Sequence, residues 1–338
     1  MEKGGLPNKL FDGFRLSLNT ENTIGYFQVV ILLNDKKYRY GFTINSQSQI
    51  ESEWLFGNAY KKETYYFKRK HHDIQVNPEF FKEGQKLPYE KLRNDTLFLT
   101  FCSAYDGVIS KDIRGYFAEK VLFDSYLEEK RLSSLLRGHN NWTNSLVEQG
   151  DKSSVLSILK SAGLQYSDIN ISTQEIAKDL IIKQVNLSKP IFDEHQIERG
   201  ESLFNLESDE SEGTKKLYSY IGKLHFIFEN GGLFVSDEID SNFHPTLLRK
   251  LIELFQNDKL NKGGAQLLCT THDTNLLDHD FMRRDQFYFT EKTVFEDSRL
   301  YSLSDLKGIR NNADFARQYL AGFYGALPIL DHYIEDLD

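Results

Sequence analysis

Gly231-Gly232-Leu233-Phe234-Val235-Ser236-Asp237-Glu238-Ile239-Asp240-Ser241-Asn242-Phe243-His244-Pro245 is the stretch around which the rest of the chain is organised. Two glycines end whatever precedes it, and a short apolar run then stops at two carboxylates. A run this short, bounded by glycine, reads as a fully buried strand rather than a helix. Open α/β sheets place their ligands at the carboxyl ends of the strands. A carboxylate at that tip, Asp237, can help to hold a divalent cation, and Glu238 beside it can polarise a water. The plainer reading is a strand followed by an acidic loop, since acidic dipeptides are ordinary loop chemistry.

The flanks favour the first reading. Upstream, Leu217, Tyr220, Ile221, Leu224, Ile227 and Phe228 recur at three and four residues, which makes one helical stripe. Gly231 stops that helix, and its start falls near Glu210-Ser211-Glu212-Gly213-Thr214. Small residues at a helix start leave backbone N–H groups open to an anion; capping by Ser211 or Thr214 explains them equally well. Downstream, Pro245 sits in a first helical turn, and Leu247, Leu248, Leu251, Ile252 and Phe255 give that helix a buried face. Lys262-Gly263-Gly264 breaks it, and Gln266 to Thr271 reads as a second buried strand ending in His272-Asp273. Helix, strand, helix, strand is half of a doubly wound fold. Sequential strands usually neighbour one another, so Asp237-Glu238 and His272 are expected close in space.

The chain has 338 residues, a net charge of −9 and 40% hydrophobic residues, enough for one large domain or two ordinary ones. An aromatic content of 13% argues against disorder. No apolar run approaches the ~20 residues of a membrane span, and the first residues have no apolar signal-peptide core. Cys102 and Cys269 form no CxxC and read as buried free thiols of a reducing cytoplasm. The histidines are scattered apart from His71-His72, so no structural metal is expected. The acidic balance disfavours a broad nucleic-acid surface and permits a local one.

Before the central stretch the chain changes character twice. Tyr26 to Leu33, the turn Asn34-Asp35 and Tyr38 to Ile44 read as an antiparallel hairpin, and Ile50 to Leu55 and Thr64 to Phe67 continue a meander. There Lys61, Lys62, Lys68, Arg69, Lys70 and the two histidines flank Tyr65, Tyr66 and Phe67. That mixture suits phosphate contacts and base stacking, or lysines that solvate a sheet edge. The middle reads as helical: Lys111 to Leu135 carries Ile113, Phe117, Val121, Leu122 and Tyr126 at helical spacing. A polar loop over Arg137 to Asn144 and a short helix over Ser153 to Leu159, stopped by Gly163, follow. Gln174 to Val185 is mixed. Later strands are expected at Phe287 to Phe289 and Leu300 to Leu303, before a helical, aromatic tail. The division expected is a β-rich part over 1–105, a helical insertion or arm over 106–200 and a core over 201–338.

Taken in order, Glu210 to Thr214, the following helix, Leu233 to Glu238, Asp240-Ser241, His244-Pro245 and Thr270-Thr271-His272-Asp273 resemble the ABC-type AAA-family ATPases of bacterial defence and abortive-infection systems. That is the RloA/AbiLii-like group related to the OLD ATPases. Tyr38 to Phe42, Glu53-Trp54-Leu55, Phe80 to Gly84 and Tyr319 to Pro328 are similar to that group too, so the resemblance spans nearly the whole chain. It implies an α/β, P-loop NTPase-like mixed sheet with an antiparallel β region and a helical insertion. It implies ATP and Mg²⁺ as cofactors, and a homodimer or higher homo-oligomer as the working form. Hydrolysis would control a partner effector such as a nuclease in anti-phage defence. By position, Asp237 resembles the Walker B carboxylate on Mg²⁺, and Glu238 the general base. Ser211, Gly213 and Thr214 resemble the ABC signature, Asp240 and Ser241 the D-loop, and His272 the switch histidine.

One departure stands out. Such ATPases open with a strand, a GxxxxGK[ST] phosphate loop and a helix, and this chain has no such loop. Gly150-Asp151-Lys152-Ser153 comes closest, and no glycine precedes it at the required spacing. Without the loop there is no backbone cradle and no lysine for the phosphates. Two expectations follow: an ATPase subunit whose first block is missing here, or a non-hydrolysing scaffold or regulatory protein that keeps the ATPase fold.

Overall fold

In the computed structural model, residues 13–17, 20, 23–59, 62–124, 141–177 and 180–328 are described. The chain divides into two compact units, Met1–Ala118 with Leu277–Asp338, and Glu119–Leu276.

The first unit is built on a five-stranded antiparallel meander, β1 (Gly25–Leu33), β2 (Lys36–Ile44), β3 (Ile50–Ala59), β4 (Lys62–Lys70) and β5 (Asp73–Val76), in that spatial order. The expected hairpin is present. Asn34 and Asp35 both take positive φ, 51° and 61°, the conformation of a two-residue turn whose twist matches the strands. One face of the sheet buries Tyr38, Tyr40, Leu55 and Phe67 against Phe81 and two helices, α1 (Phe98–Ala104) and α2 (Val108–Glu119). Both helix starts borrow a cap from elsewhere. Glu53 on β3 accepts the N–H groups of Phe98 at 2.5 Å and Leu99 at 2.9 Å, and Glu83 accepts those of Ile109 and Ser110 at 2.8 Å. A carboxylate there satisfies orphan donors and meets the positive end of the helix dipole. Arg69 lies beside Glu53, 3.6 Å away, and both side chains are buried. Arg69 therefore belongs to the core and not to a basic surface, as do Tyr66 and Phe67.

The second unit holds the central stretch. Helix α2 ends at Glu119 and a three-residue strand, β6 (Val121–Phe123), follows; the helix expected over Lys111 to Leu135 is thus broken within its span, and its end lies outside the described residues. Next come α3 (Asn141–Glu148) and α4 (Lys152–Ser161), the latter capped by Asp151, whose carboxylate accepts Ser154 N–H at 3.2 Å. The stretch expected as a polar loop to Asn144 is helical from Asn141. A second correction concerns the helical arm. Residues 168–205 form an antiparallel sheet, β7 (Asp168–Ala177), β8 (Leu180–Phe192) and β9 (Glu198–Asn205). The apolar–polar alternation Ile169-Asn170-Ile171-Ser172 has the strand period of two.

The long helix α5 (Glu212–Asn230), β10 (Leu233–Ser236), α6 (Pro245–Gln256) and β11 (Gln266–Cys269) then follow in the expected order. Strand β10 pairs in parallel with β11 on one side and β6 on the other. The expected full burial of the strands holds only in part. Phe234 and Ser236 of β10 are buried, whereas β11 alternates and leaves Leu268 59% exposed; among the described residues β11 pairs only with β10. Back in the first unit, the hairpin β12 (Tyr288–Lys292) and β13 (Ser298–Ser302) and the short helix α7 (Phe315–Leu320) close a small core around Phe287, Phe289, Leu303, Phe315 and Tyr324. Among the described residues no helix is long and apolar enough to cross a membrane.

Candidate functional site at the strand tips

The parallel pairing of β10 with β11 brings their carboxyl ends side by side, and the loops beyond them are stitched together. Thr270 N–H donates to Ser236 O at 3.1 Å and Ile239 N–H to Thr270 O at 3.0 Å. The Thr270 hydroxyl bridges the two acidic residues: it donates to Asp237 Oδ1 at 2.5 Å and accepts Glu238 N–H at 2.7 Å. Glu238 holds a left-handed backbone, φ 47°, and its side chain and that of His272 are solvent-exposed, with His272 Nε2 3.9 Å from Glu238 Oε1. Asp240 Oδ1 accepts His272 N–H at 3.3 Å. Asp237, Glu238, Asp240 and His272 thus stand together, as the neighbouring of sequential strands requires.

The start of α5 is locked to the same loop. Ser211 is its N-cap, with the hydroxyl accepting Thr214 N–H at 3.2 Å. Gly213 lies so close to the carbonyl of Asn242 that a Cβ would come within 2.5 Å of the oxygen. Thr214 is buried and Ser211 exposed. Two residues that the sequence reading passed over carry the arrangement. Lys216, one turn into α5 and 2% exposed, sends its ammonium into the 238–241 loop. It donates to Ile239 O at 3.2 Å, Ser241 O at 3.1 Å and Ser241 Oγ at 2.8 Å, with Glu238 O at 3.4 Å. Burial pulls its pKa below the usual lysine value, against the opposing pull of Asp124, Asp240 and Glu238. Asp124, the residue after β6, lies 3.9 Å from that ammonium, accepts Ser236 Oγ at 2.8 Å and is hydrogen-bonded by the Tyr220 hydroxyl. A strand-then-aspartate pattern at Val121 to Asp124 was the available signal; nothing in the sequence marks Lys216 as buried.

The donor set at the tips is oxygen-rich: the Asp237 carboxylate, the Thr270 hydroxyl and the exposed Glu238 carboxylate. Hard oxygen donors suit Mg²⁺, so these residues fit that ion. Cys269, at the end of β11, is half-buried rather than fully buried as expected, and desolvation pushes its thiol up to about 11, so it stays neutral. The residues nearest in form to a phosphate loop do something else, since Asp151 caps α4 and Lys152 pairs with Asp168 at 3.0 Å. A groove of about 480 Å³ among α4, α5 and α6 is lined by Ile158, Leu224, Phe228 and Leu251, with none of the strand-tip residues in its wall.

This arrangement, with acidic and histidine residues at the tips of adjacent parallel strands behind a capped helix, occurs in a chain that carries an AAA-family domain. The chain belongs to the family described as "AAA domain, putative AbiEii toxin, Type IV TA system", whose family model matches residues 108–278, the whole of the second unit included. A search of curated proteins finds no match.

Proposed function

We propose that this chain is an ABC-type ATPase subunit of a bacterial anti-phage defence system, in which ATP joins two protomers and hydrolysis releases them to control a partner effector, a nuclease being the natural candidate. The observation that carries the reading is the convergence of Asp237, Glu238 and His272 at two neighbouring strand tips. Asp237, oriented by Thr270, would hold Mg²⁺, and that ion, when bound, would neutralise charge on the nucleotide phosphates. Glu238 faces solvent and takes a proton from the attacking water. His272, anchored through its N–H to Asp240, sits beside Glu238 to sense the terminal phosphate. Ser211 and Gly213 offer the start of α5 to the nucleotide of the opposite protomer, the buried Thr214 supporting Ser211 from beneath, and Asp240 and Ser241 reach across the dimer. Lys216 positions that whole loop. The finer kinship, with the RloA/AbiLii-like and OLD-related group, and a cytoplasmic setting belong to the same proposal.

A second reading, a non-hydrolysing scaffold on the same fold, is favoured by the lack of GxxxxGK[ST] in these residues. Calorimetry separates the roles. These 338 residues alone should bind Mg-ATP very weakly, because no backbone cradle holds the phosphates. In a form of the protein that carries a phosphate loop, Mg-ATP should bind and drive dimerisation, and Asp237→Ala should weaken both. A micromolar dissociation constant for the chain alone contradicts the need for that cradle and with it the scaffold reading; unchanged binding and dimerisation in Asp237→Ala contradicts the role given to Asp237.

A further inference from the structure

The outward face of the β1–β5 sheet carries a second set of side chains that the strand-tip site leaves unused. The register aligns them in rows across the strands. Gln28 faces Gly41, Gly41 faces Trp54, and Trp54 faces Lys68; Arg39 faces Phe56, and Phe56 faces Tyr65; Tyr26 faces Thr43, and Ser52 faces Lys70. Four aromatic rings, Tyr26, Trp54, Phe56 and Tyr65, therefore stand among Arg39, Lys68 and Lys70.

The rings are held in place. A Cβ at residue 41 would come within 2.5 Å of the Trp54 ring, so the indole lies across the sheet only because that position is glycine. Trp54 Nε1 donates to Gln28 Oε1 at 3.2 Å, and Arg39 Nη1 donates to the same oxygen at 3.1 Å. The Tyr26 ring centre is 5.4 Å from that of Trp54. The Arg39 guanidinium lies 4.2 Å over Phe56, and the Lys68 ammonium lies 5.4 Å from Phe56 and 5.3 Å from Tyr65.

Edge protection does not explain the lysines. Lys68 and Lys70 sit on β4, which is paired on both sides, by β3 and by β5. An interior strand has no open edge to guard. The charges on this face are also opposite to those of the molecule. Lys37, Arg39, Lys68 and Lys70 oppose Glu63 and Asp73, in a chain of net charge −9, and Arg39 is paired with Glu63 at 2.8 Å. A polyanion is repelled by most of such a surface and drawn to this part.

We propose that this face binds single-stranded nucleic acid, with bases stacked on Trp54, Tyr26 and Tyr65 and phosphates on Lys68 and Lys70. Unpaired bases offer π-faces that a flat aromatic platform accepts whatever their sequence, whereas a duplex hides them. The inference rests on this sheet alone and stands or falls apart from the ATPase reading.

The test uses fluorescein-labelled oligothymidylate and a mixed-sequence RNA, each about 20 nucleotides, with a duplex of the same length as competitor. Anisotropy gives affinity. In the Trp142→Phe background Trp54 is the one remaining indole, so its fluorescence reports stacking. Saturable binding should fall with salt, with a log–log slope of about −0.7 for each phosphate contacted. Trp54 should be quenched. Lys68→Glu with Lys70→Glu should weaken binding at least about tenfold and flatten the salt slope. Trp54→Ala should weaken it by roughly tenfold or more, and Trp54→Phe should retain most of it. No binding at about 50 mM salt, equal affinity in the charge-reversed variant, unquenched Trp54 or preference for the duplex each overturns the proposal.

Discussion

At the scale of single residues the structure sets a conflict at position 238. Glu238 occupies the left-handed region, φ 47°, where an L-residue other than glycine is strained by about 1–2 kcal/mol. Its backbone is held there from both ends, by Thr270 Oγ1 on the N–H and by Lys216 near the carbonyl. The exposed side chain contributes little to the fold, with His272 as its ionic neighbour at 3.9 Å. Glu238→Gly should therefore stabilise the protein, by roughly 0.5–1 kcal/mol, while abolishing any turnover that depends on the carboxylate. Chemical denaturation measures this; a variant less stable than the parent would show that the carboxylate supports the fold after all.

At the scale of elements, α5 is tied to the loop it faces by one buried cation. Lys216 satisfies the carbonyls of Ile239 and Ser241 and approaches that of Glu238. Lys216→Met strands those carbonyl oxygens and takes the countercharge from the neighbouring Asp124, which keeps its bonds from Ser236 and Tyr220, so it should cost roughly 3 kcal/mol, read as a Tm lower by about 10 °C. Lys216→Arg should not restore it, because the planar guanidinium does not fit a site shaped for a compact ammonium. A Tm within about 2 °C of the parent for Lys216→Met would remove the lysine from this role. Strand β10 could be read because glycines bound it and carboxylates end it, and β11 because Gly263-Gly264 precede it. Strand β6 was not, since three apolar residues after a helical stripe continue its period. The sheet of residues 168–205 was signalled by the alternation at Ile169 and Ile171, which the expectation of a helical arm overrode. Lys216 and Arg69 were illegible as core residues, because the partners that make a buried cation tolerable come from other elements of the fold: Ser241 for one, Glu53 on the neighbouring strand for the other.

At the scale of the molecule, the two units carry separate chemistry. The second holds the parallel strands and the acidic tips, and it lies wholly within the family match over residues 108–278. The first presents an aromatic and basic sheet face. The central claim is that the second unit hydrolyses ATP through Glu238 once phosphates are cradled. Its most direct measurement is steady-state hydrolysis by Glu238→Gln in a phosphate-loop-bearing form, with particle size followed in the presence of Mg-ATP. Glutamine keeps the shape and the hydrogen bond to water but takes no proton. Turnover should fall by about 10²–10⁴-fold, nucleotide binding should survive through Asp237, and the ATP-bound dimer should accumulate. Hydrolysis by Glu238→Gln at the parental rate would contradict the account, because Glu238 would then not be the base.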